Sequence, residues 1–146
     1  MAGVTDDGPQ WQERQRRAVQ AHAAADARQR AAEQAEAAGL VARFAAEANR
    51  RGLRTTALAV RSYDGRSRYR TRLTGWYVDR AHSRAVDPAG RFYLLTVPAS
   101  LRARLFGADP RPAPAPLVVG RGGRDGESIP LRDLLDRRLD AGDDWG

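Results

Sequence analysis

Three features of this 146-residue chain predict an α+β domain. Strong helix formers fill the first third, a β-like stretch with two turn signals occupies the middle, and an amphipathic helix closes the chain. The expected architecture is a long N-terminal helix, a small antiparallel meander of three to five strands, a short helix after Pro98 and a C-terminal helix. The sheet is expected to be covered on one face by the end of the long helix and by the C-terminal helix. Residues 1–9 read as an N-terminal segment without regular structure. Residues 10–51 read as an Ala/Arg-rich helical arm, 52–141 as the α+β domain, and 142–146 as a tail.

The long helix has a start and a stop. Asp7-Gly8-Pro9 supplies a capping acid and a first-turn proline, and Arg50-Arg51-Gly52 supplies cations in the last turn with glycine after them. Ala37, Leu40, Val41, Phe44 and Ala48 keep the spacing of a buried stripe, so the C-terminal part is expected to pack on the core. Between Val19 and Leu40 alanine is the only apolar side chain, which gives burial little driving force. Ala24, Ala27, Ala31, Gln34 and Ala38 nevertheless alternate steps of three and four, as in a coiled-coil seam. That stretch is either a solvated arm or the contact surface for a protein partner or a second copy. Gly39, where the character changes, is a candidate break into two helices.

Thr55 to Val60 reads as the first strand. Asp64-Gly65 marks a tight hairpin turn, and Arg66-Ser67-Arg68-Tyr69-Arg70-Thr71-Arg72 reads as the returning strand, running on to Val78. A second hairpin joins Arg84–Asp87 to Arg91–Val97 through Pro88-Ala89-Gly90. Pro98 ends the strand and opens a short helix carrying Leu101, Leu105 and Phe106. Asp109–Pro116 is a proline-rich, extended connector, and Leu117–Val119 is a short strand at the sheet edge. After a glycine-rich loop, Leu131, Leu134, Leu135 and Leu139 form the buried stripe of the last helix, with Asp125 or Ser128 as its cap.

Composition narrows the function classes. The chain has no cysteine, which excludes disulfides, thiolate metal sites and cysteine nucleophiles. No stretch is apolar enough for a membrane span and the N-terminus lacks the apolar run of a secretory signal, so a cytoplasmic protein is expected. All 25 basic residues are arginine, the usage of a GC-rich bacterial coding sequence. Their distribution says more than their number. The net charge is +1 over residues 1–51, +8 over 52–106 and −2 over 107–146. The excess sits with the strands, where charge of one sign draws an anionic partner.

The arginine run is the sharpest motif. On a strand, alternate side chains share a face and stand about 6.6–6.8 Å apart, close to the spacing of phosphates along one nucleic-acid strand. Arg66, Arg68, Arg70 and Arg72 would then form a ladder able to track a phosphate backbone without reading bases. Trp76 falls on the same face if the strand stays regular through Gly75, adding a stacking aromatic, and turns into the core if Gly75 makes a bulge.

Other chemistry is sparse. The loop Gly120 to Glu127 lacks the spacing of known phosphate-binding loops and reads as a flexible turn. His22 and His82 are isolated, and no metal or other cofactor is expected. Asp79, Asp87, Asp125 and Glu127 are acid–base candidates only by default, since turn acids commonly bond the local backbone. The leading expectation is a non-catalytic interaction module working through the N-terminal helix. The alternative is an anion- or nucleic-acid-binding module using the arginine ladder, and an enzyme of unknown class comes third.

Overall fold

A computed structural model describes residues 7–120 and 127–145. The chain forms two compact units, residues 1–33 and 34–146. The described part of the first unit is purely helical. It belongs to α1 (Asp7–Arg50), and every residue from Gly8 to Glu33 is exposed. With alanine, glutamine and arginine dominating, helix propensity alone favours this conformation.

In the second unit α1 runs on through Gly39 without a break, so the two-helix alternative is set aside. A Cβ at Gly39 would meet only the flexible guanidinium end of Arg43. From Ala37 the helix buries Ala37, Val41, Phe44 and Ala48 of the expected stripe, with Ala45 beside them, and Leu40 is only partly buried against the same core.

The strands are β1 (Thr56–Ser62), β2 (Arg68–Tyr77), β3 (Arg84–Val86), β4 (Phe92–Leu94) and β5 (Thr96–Val97). The first four make the expected antiparallel meander. The fifth does not simply extend the fourth. The stretch read as one strand, Arg91–Val97, divides at Leu95, and β5 pairs in parallel with β1. Strand order is β4-β3-β2-β1-β5, so the two edges of the sheet are one residue apart in sequence. Leu95 joins them: its N–H donates to Ser83 O at 2.8 Å and its carbonyl accepts from Arg61 N at 2.8 Å. The sheet therefore closes into a small barrel, which leaves little free edge.

Both hairpins form where the turn residues call for them. Tyr63 to Ser67 link β1 to β2, with Gly65 at φ 73° and the Asp64 carboxylate accepting from Ser62 Oγ and Arg66 N. Those bonds hold the Asp64 carboxyl below its ordinary pKa, the serine contributing most. In the second hairpin, buried Asp87 accepts from Arg91 N, Arg91 Nε and Tyr93 Oη.

Closure produces two cores. Inside the barrel lie Leu58, Val60, Tyr69, Tyr77, Ala85, Tyr93 and Leu95. Outside it, Trp76, Val86 and Phe92 pack beneath α1 and α3 (Leu131–Ala141), which contributes Leu131, Leu134 and Leu135. The fold class is thus the predicted α+β, with the predicted pair of helices on one face.

Three local expectations change. Leu117–Val119 packs against the outer core but does not join the five-stranded sheet; among the described residues β6 (Val118–Gly120) pairs only with β7 (Ser128–Pro130). Ser128 sits in β7 and α3 starts after Pro130 with no side-chain cap, while Asp125 and the loop 121–126 lie outside the described residues. The short helix α2 (Leu101–Phe106) buries none of its residues.

Candidate functional site

The arginine run does form a strand, with one correction. Arg66 lies in the turn before β2, so the ladder on the strand comprises Arg68, Arg70 and Arg72. Its partner strand adds a residue that linear reading missed. Arg61 on β1 faces Arg68 directly, and Ala59 faces Arg70. Like charges opposed across two strands are destabilising unless something anionic relieves them. Among the described residues no carboxylate pairs with the guanidinium of Arg61, Arg66, Arg68, Arg70 or Arg72. Arg70 makes only one long bond, from Nη2 to Leu105 O at 3.5 Å.

A wide irregularity interrupts the ladder. Ala57 faces Thr74 and Ala59 faces Arg70, so Thr71, Arg72 and Leu73 stand opposite Leu58 alone. Thr71 replaces the missing ladder bonds: its hydroxyl donates to Leu58 O at 2.6 Å and accepts from Leu73 N at 3.1 Å. Because two extra residues are inserted, the facing of β2 has the same parity on both sides.

Trp76 therefore lies on the arginine side of β2 by parity, and yet it does not join the arginines. It is 1% exposed, meets Phe44 edge-on with ring centroids 5.8 Å apart, and donates from Nε1 to Leu53 O at 3.1 Å. The single face changes along its length: α1 and α3 cover the Trp76 half and leave the arginine half open. Gly75 adds a constraint there, since a Cβ would come within 2.4 Å of Val86 O.

A different aromatic stands beside the arginines. Arg70, Thr71, Arg72, Ser100, Arg102, Phe106 and Asp109 border a shallow groove of about 680 Å³. Phe106 is 77% exposed, and Leu101 and Leu105 on the same short helix are also exposed. Tyr69 Oη accepts from Ser100 N at 2.9 Å and Ala108 N donates to Arg70 O at 2.9 Å, which ties α2 to the ladder strand. Arg102 and Phe106 were not singled out from the sequence, because only the return of the chain after β5 brings them to β2.

Two of the default acid–base candidates, Asp79 and Asp87, do structural work, and Asp125 lies outside the described residues. Asp79 accepts from Ser83 N, Ser83 Oγ, Arg84 N and Arg84 Nη1, and Asp87 holds its hairpin as described. His82 takes a positive φ of 56° and stacks on Tyr77 with ring centroids 4.1 Å apart. Burial above all, then the charge of Arg61, pushes its pKa below the ordinary 6.5; Asp79 pulls the other way, and Arg68 adds the smallest push down. The field of the arginine pair thus reaches the neighbouring loop. Among the described residues no group of three or more His, Asp or Glu side chains is placed to hold a metal ion. No described helix is long and apolar enough to cross a membrane.

Of the alanine seam, Ala24, Ala27, Ala31, Gln34 and Ala38 are all exposed. So are the larger apolar side chains of Trp11 and Val19. No family model, curated protein or solved structure matches this chain.

Proposed function

We propose that this protein is an interaction module whose N-terminal helical segment associates with the same segment of a second copy. The supporting observation is the exposure of every residue from Gly8 to Glu36 in an otherwise well-formed helix. Helix propensity holds this long segment in shape without burying any of its faces, which leaves one free to be covered by another helix. Ala24, Ala27, Ala31, Gln34 and Ala38 provide a straight seam on which two helices can approach closely. The solution mass is expected to be that of two chains. Replacing Ala27 and Ala31 together by arginine, nearly as good a helix former, should halve the mass while leaving the circular-dichroism helix signal in place. The mass of a single chain at every concentration overturns this reading.

The arginine face favours a second reading, a module that holds a single-stranded nucleic acid by its backbone. Arg61, Arg68, Arg70 and Arg72 have no carboxylate partner among the described residues, and Phe106 supplies an exposed ring for a base to stack upon. Replacing Arg68 and Arg70 by glutamine should weaken binding to all sequences alike and lower the salt slope by about 0.7 per lost phosphate contact. Phe106→Ala should weaken binding by roughly 1–3 kcal/mol without altering the salt slope. Failure to retain any oligonucleotide at low salt ends the nucleic-acid reading and leaves the self-association reading untouched.

A further inference from the structure

On the loop after β2, lined by other residues than the groove beside α2, the second unit contains an open-mouthed hollow of about 550 Å³ that neither reading uses. Its wall carries Arg80 from the loop between β2 and β3, Arg84 from the start of β3 and Arg137 from α3. Val119, Ile129 and Leu134 form an apolar floor, and Trp145 closes one side. The volume lies within the range of small-molecule sites, and an apolar lining with a few convergent polar groups is their usual make-up.

The charges in this hollow do not balance internally. Among the described residues Asp79 is its one carboxylate, and four donors from Ser83 and Arg84 already occupy it. Among the described residues Arg137 has no hydrogen-bond or ion-pair partner. Arg80 has only the face of Trp145, 5.0 Å from its ring centre. Arg84 is the most informative of the three. Its Nη1 donates to Asp79 and Ser83, and its Nη2 donates to Gly120 O at 3.2 Å, but its Nε is shielded from water and has no partner. A guanidinium short of acceptors is stabilised by an anion set beside it, through its charge even where a given N–H is not reached.

We propose that this hollow binds a small organic anion, a carboxylate or phosphate ester, with its charged head among Arg80, Arg84 and Arg137 and its apolar body on Val119, Ile129 and Leu134. Guanidinium groups recognise both head groups through paired hydrogen bonds, so the head is defined by its charge and oxygens.

The test is a calorimetric titration of the full chain with benzoate, phenyl phosphate and benzyl alcohol. One or both anions should bind saturably with a Kd at or below about 1 mM, and the neutral alcohol should not bind. Whichever anion binds more tightly identifies the head group. Arg80→Gln with Arg137→Gln should weaken that binding at least about tenfold at an unchanged melting temperature, because neither side chain holds the fold together. The control pair Arg68→Gln and Arg70→Gln, on the strand face, should bind as the parent does. The proposal is overturned if no anion saturates, if the alcohol binds equally, or if only the strand-face pair loses binding.

Discussion

Thr71 shows how much one side chain can decide. Three residues of β2 face one of β1, and the Thr71 hydroxyl closes both backbone groups that this leaves open. Thr71→Val keeps the shape and removes the hydroxyl, so Leu58 O and Leu73 N lose their partner. A loss of about 1–3 kcal/mol is expected, measured as a lower urea midpoint at constant slope. An unchanged midpoint would show that water replaces the hydroxyl at no cost. Gly75 is the complementary case, a position where the approach of Val86 O leaves no room for a side chain.

Among the elements, α2 departs furthest from the expectation that apolar helix faces are buried. It is six residues long, its N-terminus is held by Ser100 Oγ accepting from Ala103 N, and Leu101, Leu105 and Phe106 all face outward. Only Ala103 and Ala108 nearby touch the inner core. Leu105→Ser with Phe106→Ser should therefore move the melting temperature little, within about 0.5 kcal/mol of stability. Buried leucine and phenylalanine would each cost several times that on truncation. A large loss of stability on calorimetry would mean that these side chains are covered in solution. At the end of α1, Glu47 accepts from Arg50 and Arg51, which draw its pKa down to about 2. This exposed cluster stays paired at any ordinary pH.

For the molecule as a whole, barrel closure is what brings distant charges together. Arg61 and Arg68 face each other across β1 and β2, and both act on His82 beyond the end of β2. Because the folded pKa of His82 lies below 6.5, the unfolded chain takes up the proton first as the pH falls. Stability from this residue is complete above pH 6.5 and declines as the pH drops from there through the folded value. Unfolding midpoints should therefore fall between about pH 7 and pH 5. His82→Asn, which tolerates the positive φ, should flatten that decline. An equal decline in the variant would assign it to other groups.

Much of this architecture follows from local signals. Asp64-Gly65 and Pro88-Ala89-Gly90 mark their hairpins because turn geometry is chosen within a few residues. The stripes Ala37–Ala48 and Leu131–Leu135 mark the helices that cover the sheet, because periodicity within a helix predicts its buried face. The arginine ladder is legible for the same reason, since alternation along a strand is a local rule. The sequence by itself thus determined the fold class, the turns, the covering helices and a strand rich in arginine.

Only the tertiary structure decided what those elements meet. Alternation left the side of β2 that Trp76 takes to depend on the register at Gly75, and it did not tell that one side is covered at one end and open at the other. Coverage depends on where α1 and α3 cross the barrel. It likewise took closure at Leu95 to set Arg61 against Arg68, and the return of the chain to put Arg102 and Phe106 beside Arg70. The hollow walled by Arg80, Arg84 and Arg137 draws on residues more than fifty apart in sequence. Periodicity carries no information across such distances, because contacts between remote segments arise from packing and not from the spacing of neighbours along the chain.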